Sequence, residues 1–467
     1  MPAPARPMPM ATRRSSRAIT PTKGTRMMLK RVPTSQPVRL AVLLVVVLSS
    51  GIWLPSAASA QDDEDERGQS VTDREKARLE HVTIPVGGFA LKPQIEVDGS
   101  YDDNIFATDA DRRGDFYTTV HPSIDARSLW SRHSLDIKAY FDHDFHAKYS
   151  SEDTSEYGIS ADGRYDVSHQ TRIYLSGSAI HTAEKRGNLS SFSNSGEPVR
   201  YDSFQGLAAI EQNFGALGFR VESRVRRLSY SDAILADGSV DSQKFRDQTI
   251  VSSALQASYD LNTLTQFVIR GTEESRRYDL RPGDPGFDPV TQIDRSGDST
   301  RIEAGIVRDL TGLLSTTVRV GYLNFRYPDP QLRNINAFSY YGSLNWNVTP
   351  LTTVSGSAQR TVDATTSPYT AGNLRDEISL TVDHELLRTL VISGNARVAW
   401  IKPSILKGLP YAIVASSREQ EIGFEARYYF LPRLRFTGNY NYQTRESSNK
   451  AIAFKENVIT VGVSYVF

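Results

Sequence analysis

The chain has 467 residues, 54 basic and 54 acidic side chains, no cysteine and a mean hydropathy of −0.39. The absence of cysteine excludes disulfides and thiolate metal sites and fits a chain that crosses an oxidising compartment. No basic excess is available for nucleic acid, and beyond residue 60 no apolar run approaches the length of a membrane helix.

Residues 1–60 read as a targeting leader. Basic residues from Arg6 to Arg39 precede the apolar run Leu40–Leu48, and Ala58-Ser59-Ala60 supplies a small-residue cleavage site after Ala60. The leader holds nine of the 54 basic residues and none of the 54 acidic ones, which leaves 45 against 54 and a formal charge of −9. Residues 61–86 then form an acidic N-terminal segment. Asp62-Asp63-Glu64-Asp65-Glu66 is a solvated run, and Ser70 or Thr72 caps a short helix through Glu80. The expectation here is a periplasmic tail and not a plug, because about 25 residues fill little of a wide barrel.

From residue 87 to residue 467 apolar and polar residues alternate in long stretches. Leu135, Ile137, Ala139, Phe141 and Phe145 oppose Asp136, Lys138, Asp142, Asp144 and His146; Leu217, Phe219, Val221 and Val225 oppose Arg220, Glu222, Arg224 and Arg226. A period of two is the mark of a strand with two unlike faces. Tight connections fall at 129–132, 167–170, 214–217, 261–264, 310–313, 348–351, 386–389 and 431–434, with longer Gly/Pro/Asp-rich segments between them. Short and long connections alternating along strands of roughly ten residues or more are the plan of an outer-membrane barrel. The fold class is therefore all-β: a transmembrane, antiparallel, up-and-down barrel of about 18 strands, with 16 as the alternative, short periplasmic turns and longer extracellular loops. Phe89, Tyr101, Trp130, Tyr149, Tyr165, Tyr327, Trp346, Trp400, Phe430 and Tyr465 lie near strand ends and fit aromatic girdles.

The chain closes on Ile459, Val461, Val463, Tyr465 and Phe467 with Thr460, Gly462 and Ser464 between them. This resembles the C-terminal strand that Gram-negative outer-membrane proteins present to the barrel-assembly machinery. Gly87-Gly88-Phe89-Ala90-Leu91-Lys92-Pro93, Tyr101-Asp102-Asp103-Asn104-Ile105-Phe106, His121-Pro122-Ser123, Trp130-Ser131-Arg132-His133 and Asp162-Gly163-Arg164-Tyr165-Asp166 resemble the opening of a family of Gram-negative outer-membrane β-barrel porins. The resemblance covers about residues 87–170 in detail and the remainder through its turn pattern. It implies a place in the cell outer membrane, among lipid and lipopolysaccharide, and some relatives are linked to extracellular polysaccharide.

Function is read from the polar face. Arg220, Arg224, Arg226, Arg319, Arg397, Arg427 and Arg435, set against Glu222, Glu303, Glu377 and Glu425, are the candidate pore-lining residues. Water in a wide lumen solvates such charges, which a dry core would not tolerate. Passive diffusion of small hydrophilic solutes is the first reading; polysaccharide export and a structural or adhesive barrel without a pore are the alternatives. Enzymatic chemistry is not expected: no Gly-x-Ser-x-Gly, His-Glu-x-x-His or phosphate loop occurs. Asp142-His143-Asp144-Phe145-His146 is the densest histidine cluster, and alternation sends His143 to the opposite face from its neighbours. Neither a cofactor nor a metal is implied.

Overall fold

The computed structural model describes residues 69–80, 82–189, 191, 195–287, 292–310, 313–409 and 415–467. The leader, its cleavage site at Ala58 and Ala60, and the acidic run at 62–66 lie outside the described residues.

Among the described residues, eighteen long strands follow one another around a closed wall. They are β1 (Phe89–Asp102), β2 (Asp115–Ser128), β3 (Ser134–His146), β4 (Ser155–Asp166), β5 (Thr171–Ala183), β6 (Arg200–Phe214), β7 (Leu217–Tyr230), β8 (Gln248–Asn262) and β9 (Thr265–Tyr278). The second half comprises β10 (Gly297–Leu310), β11 (Leu314–Arg326), β12 (Ile335–Thr349), β13 (Thr352–Asp363), β14 (Thr370–Leu387), β15 (Leu390–Ile405), β16 (Ser417–Leu431), β17 (Leu434–Ser447) and β18 (Phe454–Val466). Every strand pairs antiparallel with its sequence neighbours, and β1 closes the ring on β18 from Gln94↔Val466 to Asp102↔Val458. Closure leaves no free edge through the body of the wall, as a barrel in lipid requires. The short-turn and long-loop ends fall where the alternation of connection lengths places them, and the strand count is the expected 18.

Contacts that skip a strand identify the inside. On the concave side of a curved wall, side chains of non-neighbouring strands converge; on the convex side they splay apart. Arg375 of β14 meets Glu419 of β16 at 2.8 Å, Ser339 of β12 donates to Glu303 of β10 at 2.5 Å, and Arg276 of β9 donates to the Val362 carbonyl of β13 at 3.4 Å. These residues share the polar face. The opposite face carries the exposed Phe116, Ile269, Ile302, Phe424 and Val461. Such a continuous apolar exterior has only lipid as its natural solvent. Trp130, Trp346, Phe430 and Tyr465 stand outward near strand ends as expected, Trp130 edge-on to Phe89 at 5.4 Å. Tyr327 departs from that expectation. It is buried inside the long-loop mouth, its ring 4.6 Å from Phe325 and its hydroxyl donating to the Ala371 carbonyl at 3.2 Å.

The wall bends sharply at β10–β12. A Cβ on Gly305 would lie 2.0 Å from the Val318 carbonyl oxygen, and one on Gly321 would lie 1.8 Å from that of Ile302. Only glycine allows two backbones so close. Above the bend, inward Leu323, Phe325 and Ile335 pack with Ala371 of β14 and with Ile293, Leu332 and Leu406 from the long loops. The β9–β10 connection, the longest loop in the sequence, thus folds inward through Ile293, and Arg295 ties it to the Ser367 and Thr370 carbonyls at 3.0 and 3.1 Å.

The expected helix is present as α1 (Val71–Glu80). Ser70 and Asp73 cap it reciprocally: the Asp73 backbone N–H donates to Ser70 Oγ at 3.1 Å, and the Ser70 hydroxyl donates to Asp73 at 2.6 Å. The expectation of a free periplasmic tail is corrected, because α1 is docked on the inner wall of the short-turn mouth. The Val71 N–H donates to Thr353 Oγ1 at 2.9 Å, and Glu75 accepts from Arg427 at 3.0 and 3.1 Å. The argument from barrel width fails because a helix need not fill a lumen to bind one side of it. Ile84–Val86 pairs with Phe89–Leu91 through a turn at Gly87 (φ 58°), covering the end of β1 that β18 does not reach, so these residues join the wall.

Candidate channel lumen

Each predicted pore-lining residue lies on the inward face. Arg220 bonds Glu222 at 3.1 Å and Glu211 at 3.4 Å, and Glu222 also holds Arg270. Arg319 lies 3.3 Å from Glu303 and 4.2 Å from the centre of the Tyr341 ring. Arg397 meets Glu421 at 2.7 Å and Glu377 at 3.4 Å; Arg427 meets Glu425 at 2.6 Å, and Arg435 meets Glu96 at 3.0 Å. Arg224 and Arg226 differ from the others. Both are exposed on the lumen side of β7, and neither makes an ion pair with the described residues.

The paired residues form a band rather than isolated bridges. On β14–β17, Arg375 links Glu377 at 3.0 Å to Glu419 at 2.8 Å, and Glu419 continues to Arg445 at 2.6 Å. Satisfying each charge with an opposite partner offsets the desolvation of this more buried part of the wall. The β1–β4 part of the lumen is acidic. Glu96, Asp98, Asp125, Asp136, Asp142, Asp144, Glu156 and Asp162 face inward from β1–β4 and outnumber Lys92, Arg127, Lys138 and Arg164. On β7–β11 the balance reverses, with Arg220, Arg224, Arg226, Arg270, Arg276, Arg301 and Arg319 against Glu222, Glu274 and Glu303. Opposed sectors of this kind create a field across the lumen.

The residue-by-residue candidates omitted most of this. Arg270, Arg276, Arg301, Arg375, Glu419, Glu421, Arg445 and the acidic sector share the same period-two pattern, so counting alternate positions along every strand would have found them. The histidine cluster divides as alternation demands. His121 joins Asp142 and His146 lies 3.2 Å from Asp153 on the inside, while outward His143 meets Ser155 at 2.8 Å. Among the described residues no group of three or more His, Cys, Asp or Glu is arranged to hold a metal.

At the long-loop mouth a cavity of about 700 Å³ is bordered by Phe106, Arg113, Arg186, Thr366, Tyr369 and Arg445. Thr366 spans it by donating to the Leu189 and Ser191 carbonyls at 3.4 Å, joining loops from opposite parts of the ring. Loop carboxyls are tuned locally. Burial works to raise Asp103, but the Asn457 side chain and backbone N–H and the Arg112 guanidinium outweigh it and hold the group below the usual range. Burial raises Asp247, and the Tyr230 N–H bond only partly offsets it.

The long-loop, short-turn barrel has structural counterparts. OpdK of Pseudomonas aeruginosa is 11% identical over 81% of this chain and 99% of its own, with a TM-score of 0.40. OpdO of the same organism is 13% identical over 83% and 98%, with a TM-score of 0.41. The siderophore receptor PirA of Acinetobacter baumannii is 8% identical over 81% and 80%, with a TM-score of 0.42. Among curated proteins none matches this sequence significantly. Residues 77–467, which take in the last turn of α1 and the whole barrel, match the model of the family described as Putative beta-barrel porin 2, and the chain belongs to that family.

Proposed function

We propose that the barrel is a passive conduit for small hydrophilic solutes and carries out no covalent chemistry. It is a porin-like barrel of the Gram-negative outer membrane, so its short turns face the periplasm and its long loops the exterior. Lipid and lipopolysaccharide are its surroundings; recognition by the assembly machinery through Ile459, Val461, Val463, Tyr465 and Phe467 belongs to the same proposal. Residues 1–60, cleaved after Ala60, would carry it across the inner membrane.

One observation carries the reading: the inner face carries broad charged sectors, acidic on β1–β4 and basic on β7–β11. Charges on this scale are sustained by water, and a water-filled path with opposed charges orients a dipolar solute while it passes. Arg224 and Arg226 are the groups free to engage an anionic part of that solute. Planar-bilayer recording of the purified, refolded full chain tests this. Discrete conductance steps with a reversal potential displaced from zero in a salt gradient are expected; a silent bilayer at every voltage would remove the conduit.

A further inference from the structure

We infer that α1 is a reversible gate for the periplasmic mouth, a role that rests on the conduit reading above. The helix does not lie against the wall by apolar contact alone. Val71 is wholly buried and its N–H donates to Thr353 Oγ1 at 2.9 Å. Three of its charged side chains also bond the wall. Arg74 lies 3.3 Å from Glu385, and Arg78 pairs with the other oxygen of the same carboxylate while reaching the Arg388 carbonyl. Glu75 takes Arg427 in a two-point bridge at 3.0 and 3.1 Å and accepts the Tyr429 hydroxyl at 3.0 Å.

The acceptor surface is built for this occupant. Thr353, Glu385, Arg427 and Tyr429 come from β13, β14 and β16, all face inward, and all sit within a few residues of the short turns. Its charges read α1 in order, an acid for Arg74 and Arg78 and a base for Glu75. A ten-residue helix is marginal by itself, and the desolvation of its buried ion pairs (Arg74 and Glu385 are 6% and 5% exposed) offsets most of what pairing gains, so docking is finely balanced against release into the aqueous lumen. A plug embedded in apolar packing would be permanent. This one is set to dock and undock, and docked it narrows the periplasmic exit.

The natural chain has no cysteine, so a double variant Val71→Cys/Thr353→Cys introduces the only pair. Refolded full chain, confirmed as a barrel by heat-modifiable gel migration, is recorded in planar bilayers oxidised and after reduction. A second variant deletes residues 69–80 and leaves the Ile84–Val86 hairpin in place. The gate requires that the disulfide forms, that the oxidised channel loses its full-conductance level, that reduction restores it, and that the deletion loses the closures seen in the natural chain. Absence of the disulfide in the folded barrel, or equal conductance in the locked, reduced and deleted forms, overturns the gate and leaves the conduit standing. Silence from the natural chain and the deletion alike overturns the conduit and the gate with it.

Discussion

The sectors β1–β5 and β9–β14 are made of similar staves yet enclose different interiors. In β1–β5 most inward charges meet the adjacent strand: Lys92 reaches Asp125 at 2.9 Å, Arg127 reaches Asp136 at 3.3 Å, and Thr119 donates to Asp144 at 2.5 Å, while Glu96 reaches over β18 to Arg435 at 3.0 Å. In β9–β14 they reach over intervening strands, as Arg276 does to Val362 and Arg301 to the Arg360 carbonyl at 3.4 Å. The latter sector also encloses the cluster around Leu323, Phe325 and Tyr327. Alternation of side chains is the same in both, so curvature makes the difference. A gently curved wall holds its side chains apart with water between them, whereas a sharp bend brings them together and fills the space. On the conduit reading proposed above, the passage runs along β1–β8 and β9–β14 serves as a structural buttress.

Breaking the bend should have the largest effect. Gly321→Val would set a side chain against the Ile302 carbonyl where even a Cβ comes to 1.8 Å. A loss of about 3 kcal/mol or more is expected, read as a lowered urea midpoint of the refolded barrel. Gly438→Ala on β17, with nothing within 4 Å of its Cβ, should shift that midpoint by no more than about 0.5 kcal/mol. Comparable losses from both would mean that the bend is not the special element. Next come the ion pairs. Glu303, only 3% exposed, holds Arg319 and Ser339, and Glu303→Ala should cost about 3 kcal/mol by stranding a partly buried guanidinium. Asp136→Ala in the other sector removes a bridge whose partners are 59% and 53% exposed, and about 0–0.5 kcal/mol is expected. Equal costs would erase the distinction between buttress and passage.

How much of this could be read beforehand follows the same division. Period-two patterning depends on each strand alone, so the strand count, the alternating turns and the outward Ile459–Phe467 row were legible, as was the inward side of every named Arg and Glu. Features made by distant strands meeting were not. Tyr327 sits at a strand end like a girdle residue, and only the inward fold of the loops buries it against Phe325. The helix was visible in its Ser70–Asp73 cap, but its destination lay in Glu385 and Arg427, more than 300 positions away. Gly305 and Gly321 were the one available hint of the bend, since glycine inside a strand often marks a close approach of backbone.

The smallest effect on folding is expected where the effect on passage is most specific. Arg224 and Arg226 stand in the open part of the lumen, exposed and without a described ion pair, so replacing them costs no partner its charge. Arg224→Glu/Arg226→Glu should leave the urea midpoint within about 0.5 kcal/mol of the natural chain. It should nevertheless displace the reversal potential toward cation preference, because two positive groups facing the acidic sector become negative and the transverse field collapses. The displacement should shrink as salt rises and the Debye length falls below the lumen width. Arg276→Gln, changed in the buttress, serves as the control: it removes a positive charge where no solute passes. If Arg276→Gln moved selectivity as far as the β7 pair does, the passage would run through the bend, and the division drawn between the two sectors would be the wrong one.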